Sequence, residues 1–406
     1  MHNTRWIKNT IPVSDCAKNL SLMNIGTISK VREFHKSFPQ YSVTPLASLD
    51  NLAGETGVGG IYVKDESYRF GLNSFKALGC TFALASFIAQ TVGCSVWDLD
   101  YTTLTSPDMK SKLGEYTFFA TTDGNHGRAL AWAANQIRQK SVIYMPKGCP
   151  AVRLENIRRE GAQAYITESN YDDTIRFTAQ LAEKTPGGVI VQDTAWEGYE
   201  DIPGWIMQGY GVMALEACDQ LRERGIMPTH MFIQAGVGAF AGSAQGLVCN
   251  YYGDESPISF VVEPTVAACH YRSAQKGDGS IVKVGGDMDT IMAGLACGEP
   301  NILSWDILRN KSSYFTTIED ETAARGMRVL GAPLRGDPRV ISGESGASAM
   351  GFLIDLLTSS ERSMAELREQ AGIGRDSHIL LFSTEGDTDP ENYRRIVWEG
   401  QLHSGV

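Results

Sequence analysis

From about residue 115 the chain alternates short apolar runs with stretches of helical spacing, and this rhythm constrains the fold more than any other feature. The runs are Tyr116–Ala120, Val142–Met145, Ala164–Thr167, Val189–Val191, Met231–Ile233, Phe260–Val262 and Ile379–Phe382. Most are unbroken and end in Gly, Pro, Asp or Ser, the pattern of parallel strands buried on both faces. Between them, Leu130, Ala133, Ala134 and Ile137 share one helical face, and Val152 and Ile157 mark a second helix that stops at Gly161. Alternation of this kind predicts an α/β fold with mostly parallel sheets flanked by helices. At 406 residues the chain is too long for one ordinary core. It is expected to divide into a large domain built from residues 1–109 plus 201–406 and a small mobile domain at 110–200, with the site between them. The first forty residues, weakly periodic, are expected as an arm over the surface. Cys94 to Glu115, polar and rich in Asp, Thr and Ser, is expected as an inserted loop or helix-loop linking two lobes, or as a lid.

The formal charge of −11 removes the basic face that nucleic-acid binding needs. No run approaches the roughly 20 apolar residues of a membrane span, and Met1–Trp6 lead into no apolar segment of a secretory signal. A cytoplasmic protein acting on a small molecule is expected. The eight cysteines include no C-x-x-C pair, as suits reduced thiols in a cytosolic protein. Cys269 and Cys297 are the pair expected near the site.

Four motifs carry candidate chemistry. In Ser74-Phe75-Lys76-Ala77-Leu78-Gly79 a lysine stands among apolar neighbours. It is either a snorkelling residue at a helix start or an amine of lowered pKa able to form a Schiff base. Thr121-Thr122-Asp123-Gly124-Asn125-His126-Gly127 follows a strand and precedes a helix. It reads as an Asx turn or as a loop aiming Asp123 and Asn125 into the crevice at the strand ends. Gln234-Ala235-Gly236-Val237-Gly238-Ala239-Phe240-Ala241 is a glycine-rich entry to a helix, suited to bind phosphate through backbone N–H groups. Ala241 at the third glycine position departs from the dinucleotide fingerprint. Gly343-Glu344-Ser345-Gly346 and Ser383-Thr384-Glu385-Gly386-Asp387 are small-residue turns, the second closing a strand.

In this order the motifs resemble those of the fold-type II pyridoxal-phosphate (PLP) enzymes over roughly residues 42 to 395. The resemblance implies two open, twisted, mostly parallel sheets with the cofactor between domains. It implies Lys76 as the cofactor's Schiff-base lysine and Asn125 as the partner of the PLP O3′. Gly236, Val237, Gly238 and Ala239 then bind the phosphate, and Ser383, with Thr384 second, meets the pyridine nitrogen. Relatives of this fold are commonly homodimers, and a homodimer is expected.

Asp123 departs from the Ser-Gly-Asn-His-Gly pattern of serine and threonine dehydratases. With Val191–Tyr199, Ile202–Tyr210 and Met292–Pro300 it makes the chain similar to the diaminopropionate ammonia-lyases. That resemblance implies α,β-elimination of D- and L-2,3-diaminopropionate to pyruvate and two ammonia. Carboxylates suit a substrate with a β-ammonium, and Asp123 and Asp193 supply them as bases on opposite faces of Cα: Asp123 for the D isomer, Asp193 for the L isomer, with Lys76 competing. His126 is expected to brace its loop and Glu344 to line the ring. Glu299 and Glu385 have the spacing of no metal motif, so no metal is expected. The competing readings are a serine/threonine dehydratase, a β-replacement synthase of the same fold, and a PLP-binding amino-acid sensor without turnover.

Overall fold

The computed structural model describes residues 4–403. Eleven strands form two sheets: β1 (Arg5–Lys8), β2 (Leu46–Ser48), β3 (Gly60–Asp65), β4 (Thr117–Thr121), β5 (Lys140–Met145), β6 (Gln163–Ile166), β7 (Gly188–Ile190), β8 (His230–Gln234), β9 (Ile258–Pro264), β10 (Tyr314–Ile318) and β11 (His378–Ser383). The larger sheet runs β1-β10-β9-β8-β11-β3-β2, the smaller β6-β5-β4-β7. The smaller sheet is wholly parallel, and in the larger one β1 and β2 pair antiparallel with β10 and β3 at its edges.

Every one of the seven apolar runs falls in a strand; β4, β8, β9 and β11 are buried along nearly their whole length, whereas β7 is half-buried and the edge strand β6 buries only Ala164. Register aligns their aromatic residues. Phe232, Phe260 and Tyr314 lie opposite one another on β8, β9 and β10 and stack with centroids 4.4 and 4.9 Å apart. Such cross-strand pairs each add about 0.2–1 kcal/mol.

Strand β3 escaped the apolar pattern because it ends in Lys64 and Asp65 and runs into Glu66, all buried. Burial of those charges is tolerated by pairing. Lys64 Nζ lies 2.7 Å from Glu216 Oε2, and Arg69 binds both Glu66 and Glu216 at 2.8 and 2.7 Å. Burial alone would raise the Glu216 carboxyl, but Arg69 and Lys64 outweigh it and bring it to about 2. This ionic cluster anchors the β3 end of the turn in which Phe70 and Asn73 take positive φ, just before Lys76.

The helix Lys76–Val92 crosses the helix Asp201–Glu223 at backbone contact. A Cβ on Gly209 would sit 2.2 Å from the Leu78 carbonyl oxygen and 2.7 Å from Gly79 Cα. Only glycine permits this approach, and it sets Tyr210 beside Lys76.

Two expectations are corrected. The first forty residues are more than an arm: the helix Ile25–Lys36 buries Ile28, Val31, Phe34 and His35 in the core. Of the readings of Cys94 to Glu115, the helix-loop holds and the lid does not. The segment folds into short helices, Tyr101–Leu104 and Pro107–Leu113, that bury Leu104, Met109 and Leu113, and it lines neither cavity of the site.

Candidate active site

The C-terminal ends of β3, β4, β7, β8 and β11 converge, as open parallel sheets require of a ligand site. Each delivers one motif. Lys76 opens the helix after β3, Asp123 and Asn125 follow β4, and Asp193 follows β7. The glycine loop follows β8, and Thr384 and Glu385 follow β11. A single inner cavity is lined by Lys76, Asp123, Asn125, Asp193, Gly236, Val237, Gly238, Ala239, Thr384 and Glu385, with Phe75, His126, Tyr171 and Cys297. Through Asp123 and Tyr171 it meets an outer cavity of about 550 Å³, lined also by Lys147, Arg153 and Arg395.

Lys76 Nζ lies 2.6 Å from Asp193 Oδ2. It also lies 5.1 and 5.3 Å from the ring centroids of Phe75 and Tyr210. The amine was expected to have a lowered pKa. Burial does push it that way, but Asp193 overrides burial and raises it above 10.5. The Asp193 carboxyl, which burial would raise, is brought to about 2 by Lys76, His126 and a 3.3 Å hydrogen bond donated by Tyr210. Without a cofactor, then, Lys76 is a half-buried ammonium in a tight ion pair.

Asp123 is held differently. Arg153 Nη1 donates to its Oδ2 at 3.1 Å, and Arg153 Nη2 reaches Glu344 Oε2 at 3.7 Å. Arg153 comes from the helix Ala151–Arg159 and is itself buried. Sequence reasoning missed it, since its motif carries no signal beyond a basic residue on a helix. Glu344, expected at the ring, lines the outer cavity and accepts from Arg153 and Asn392.

Asn125 donates its amide to Glu385, whose other oxygen accepts from the Ser345 N–H at 3.1 Å. His126 braces its loop through the Val191 carbonyl at 2.8 Å, and burial lowers its pKa. Of the two hydroxyls proposed for the pyridine nitrogen, Ser383 does not line the cavity and donates to Ser342 Oγ at 2.8 Å. Thr384 lines it and accepts from Gln234 at 3.0 Å. Glu299 is spent on Arg176 and Lys283 near the surface. Cys269 and Cys297 are both buried free thiols. Cys297 lines the cavity, while Cys269 lies behind the glycine loop, its Sγ 3.9 Å from the Gly236 carbonyl oxygen. There Glu263, Cys269 and His270 form a cluster of metal-capable side chains that no sequence spacing announced. Glu263 is engaged by the His270 and Tyr271 N–H groups and by His270 Nδ1.

The glycine loop fits a phosphate. Gly238 takes φ +95° at the start of the helix Ala239–Tyr252, and among the described residues no side chain caps that helix. A Cβ on Gly238 would lie 2.4 Å from His270 Nε2, and one on Gly236 2.7 Å from the Gly294 carbonyl oxygen. Backbone donors therefore line the cradle without obstruction, and the helix dipole favours an anion. With a lysine across the same cavity, the site accepts a phosphorylated aldehyde.

A family model described as pyridoxal-phosphate dependent enzyme matches residues 38–370, and the chain belongs to that family. Within it the chain falls among the diaminopropionate ammonia-lyases. It is 52% identical over 371 residues to diaminopropionate ammonia-lyase of Escherichia coli (strain K12), with 91% of each chain covered. It superposes on the selenomethionine holo crystal structure of the Escherichia coli enzyme with a TM-score of 0.91, at 45% identity, covering 100% of this chain and 99% of that one. The complex of the same enzyme with D-serine gives a TM-score of 0.90 at 45% identity over 99% and 98% of the chains.

Proposed function

We propose that this chain eliminates ammonia from D- and L-2,3-diaminopropionate, giving pyruvate and two ammonia. The observation that carries the reading is the placement of two carboxylates, Asp123 and Asp193, around one cavity with Lys76 and the glycine loop. Bound PLP supplies the sink for the electrons released when the Cα proton is removed.

The chain's own residues do the rest. Lys76 would hold the cofactor's aldehyde carbon, and the glycine loop would hold its phosphate. Asp193, charged at neutral pH, accepts the Cα proton of the L isomer, with Lys76 beside it as the competing acceptor. Asp123, oriented by Arg153, accepts that of the D isomer. The same carboxylates attract the β-ammonium, which leaves with its bonding pair as neutral ammonia and so needs no proton at that step. Hydrolysis of the remaining enamine gives pyruvate and the second ammonia. Thr384, which lines the cavity, would meet the pyridine nitrogen in place of Ser383. Residues 110–200 act as the small mobile domain and close over substrate. The enzyme works as a cytoplasmic homodimer; no described helix is long and apolar enough to cross a membrane.

The test mixes the holoprotein with D- or L-2,3-diaminopropionate, and with L-serine in parallel, and measures pyruvate and ammonia. Two ammonia per pyruvate from diaminopropionate with little product from serine is the expected result. Faster serine turnover makes it a dehydratase, and no product from either leaves the synthase or the sensor.

A further inference from the structure

Glu385 is a buried carboxyl that the elimination chemistry leaves unused, yet it lines the inner cavity. Its Oε1 accepts from the Ser345 N–H at 3.1 Å and its Oε2 accepts from Asn125 Nδ2. An asparagine amide has a donating and an accepting end, and its orientation is set by its partners. A charged carboxylate only accepts, so it can face only the Nδ2 end. A protonated carboxyl can donate, and then the Oδ1 end can turn toward it.

We propose that Glu385 is a positioning residue for the cofactor ring, taking one hydrogen of the Asn125 Nδ2 group and so fixing the amide with the second hydrogen free to donate to the PLP O3′. The proposal rests on the reading of Asn125 given above. The carboxyl itself is placed by the turn after β11 and by the start of the helix Glu344–Thr358, so the large sheet dictates the orientation of a side chain on the small one. Charged groups face Glu385 from every side. Arg153 comes from the helix Ala151–Arg159, Glu344 from the helix Glu344–Thr358, and Asp123 from the turn after β4, with Lys76 in the same cavity. Burial, then Glu344 and Asp123 against the pull of Arg153, lift the carboxyl to about 7. The lock therefore loosens as pH falls through neutrality. Donation to O3′ favours the ionised ring oxygen and the visible absorption band; its loss moves absorption toward the near ultraviolet.

The experiment uses holoprotein variants Glu385→Gln, Glu385→Asp, Asn125→Ala and the double variant Glu385→Gln/Asn125→Ala. It records absorption spectra between pH 5.5 and 9, PLP affinity by fluorescence titration, and the melting temperature. Glu385→Gln is expected to shift the band as Asn125→Ala does, to flatten its pH dependence and to weaken PLP about tenfold. The double variant should shift it no further, since the two act as one unit. Glu385→Asp keeps the carboxylate and should restore part of the band; it carries the same test if the glutamine variant does not fold. If Asn125→Ala shifts the band and Glu385→Gln leaves both spectrum and titration unchanged, the role of Glu385 is refuted while that of Asn125 stands. If Asn125→Ala leaves the band unmoved, the O3′ reading fails and takes this proposal with it.

Discussion

Replacing Asp193 by Asn removes the buried partner of the half-buried Lys76 ammonium without changing the side chain's shape. In the cofactor-free protein the Asp193 carboxyl falls from 3.8 to about 2. At about 1.36 kcal/mol per pKa unit, that fall amounts to roughly 2–3 kcal/mol of stability. The folded value lies below the unfolded one, so the stabilisation is complete above about pH 5 and disappears as pH falls toward 2. Seen from Lys76, whose value is raised above 10.5, the same interaction is present below that pH and lost as pH rises through the raised value. It is one interaction counted once. Urea unfolding of cofactor-free wild type and Asp193→Asn, repeated from pH 2.5 to 9, should show a gap of roughly 2–3 kcal/mol across neutral pH that narrows toward the acid end. In the holoenzyme the variant should lose about 10²–10⁴ in kcat/KM for the L isomer and far less for the D isomer. A gap that stays constant with pH would refute the ion-pair account. Equal losses for both isomers would refute the assignment of Asp193 to one face.

Asp123→Asn should show the opposite asymmetry, losing about 10²–10⁴ in kcat/KM for the D isomer and little for the L isomer; equal losses end the two-base scheme. Gly238→Ala forces a Cβ to within 2.4 Å of His270 Nε2 at a φ of +95°, a strain of about 1–3 kcal/mol that should weaken PLP about 10- to 100-fold in a fluorescence titration. Thr384→Ala should perturb the cofactor's absorption more than Ser383→Ala, because Thr384 lines the cavity and Ser383 is turned to Ser342; the reverse order would return the pyridine contact to Ser383.

How much of this was legible in the sequence depends on the range of the interactions involved. The seven apolar runs were legible as strands because a strand's apolar character is written in consecutive residues, whether the strand is buried throughout like β8 or only in part like β6. The lysine motif, the Asp-Gly-Asn-His-Gly turn and the glycine loop were legible for a similar reason. Each is a short stretch whose backbone shape and chemistry depend on its own residue types. β3 was not legible, because its charged end is acceptable only once Glu216, some 150 residues later, supplies the countercharge. Nor was the helix at Ile25–Lys36, whose apolar face is explained only by the core it enters.

Within the site the same division holds. The sequence alone determined which motifs exist and which chemistry each can perform. Tertiary structure decided their states. It made Lys76 a paired ammonium by bringing Asp193 within 2.6 Å, tied Asp123 to Arg153, and turned Thr384 rather than Ser383 to the cavity. It also set Glu385 against Asn125 across 260 residues. Electrostatic state and side-chain orientation follow from neighbours in space, and in a fold with two sheets those neighbours come from distant parts of the chain.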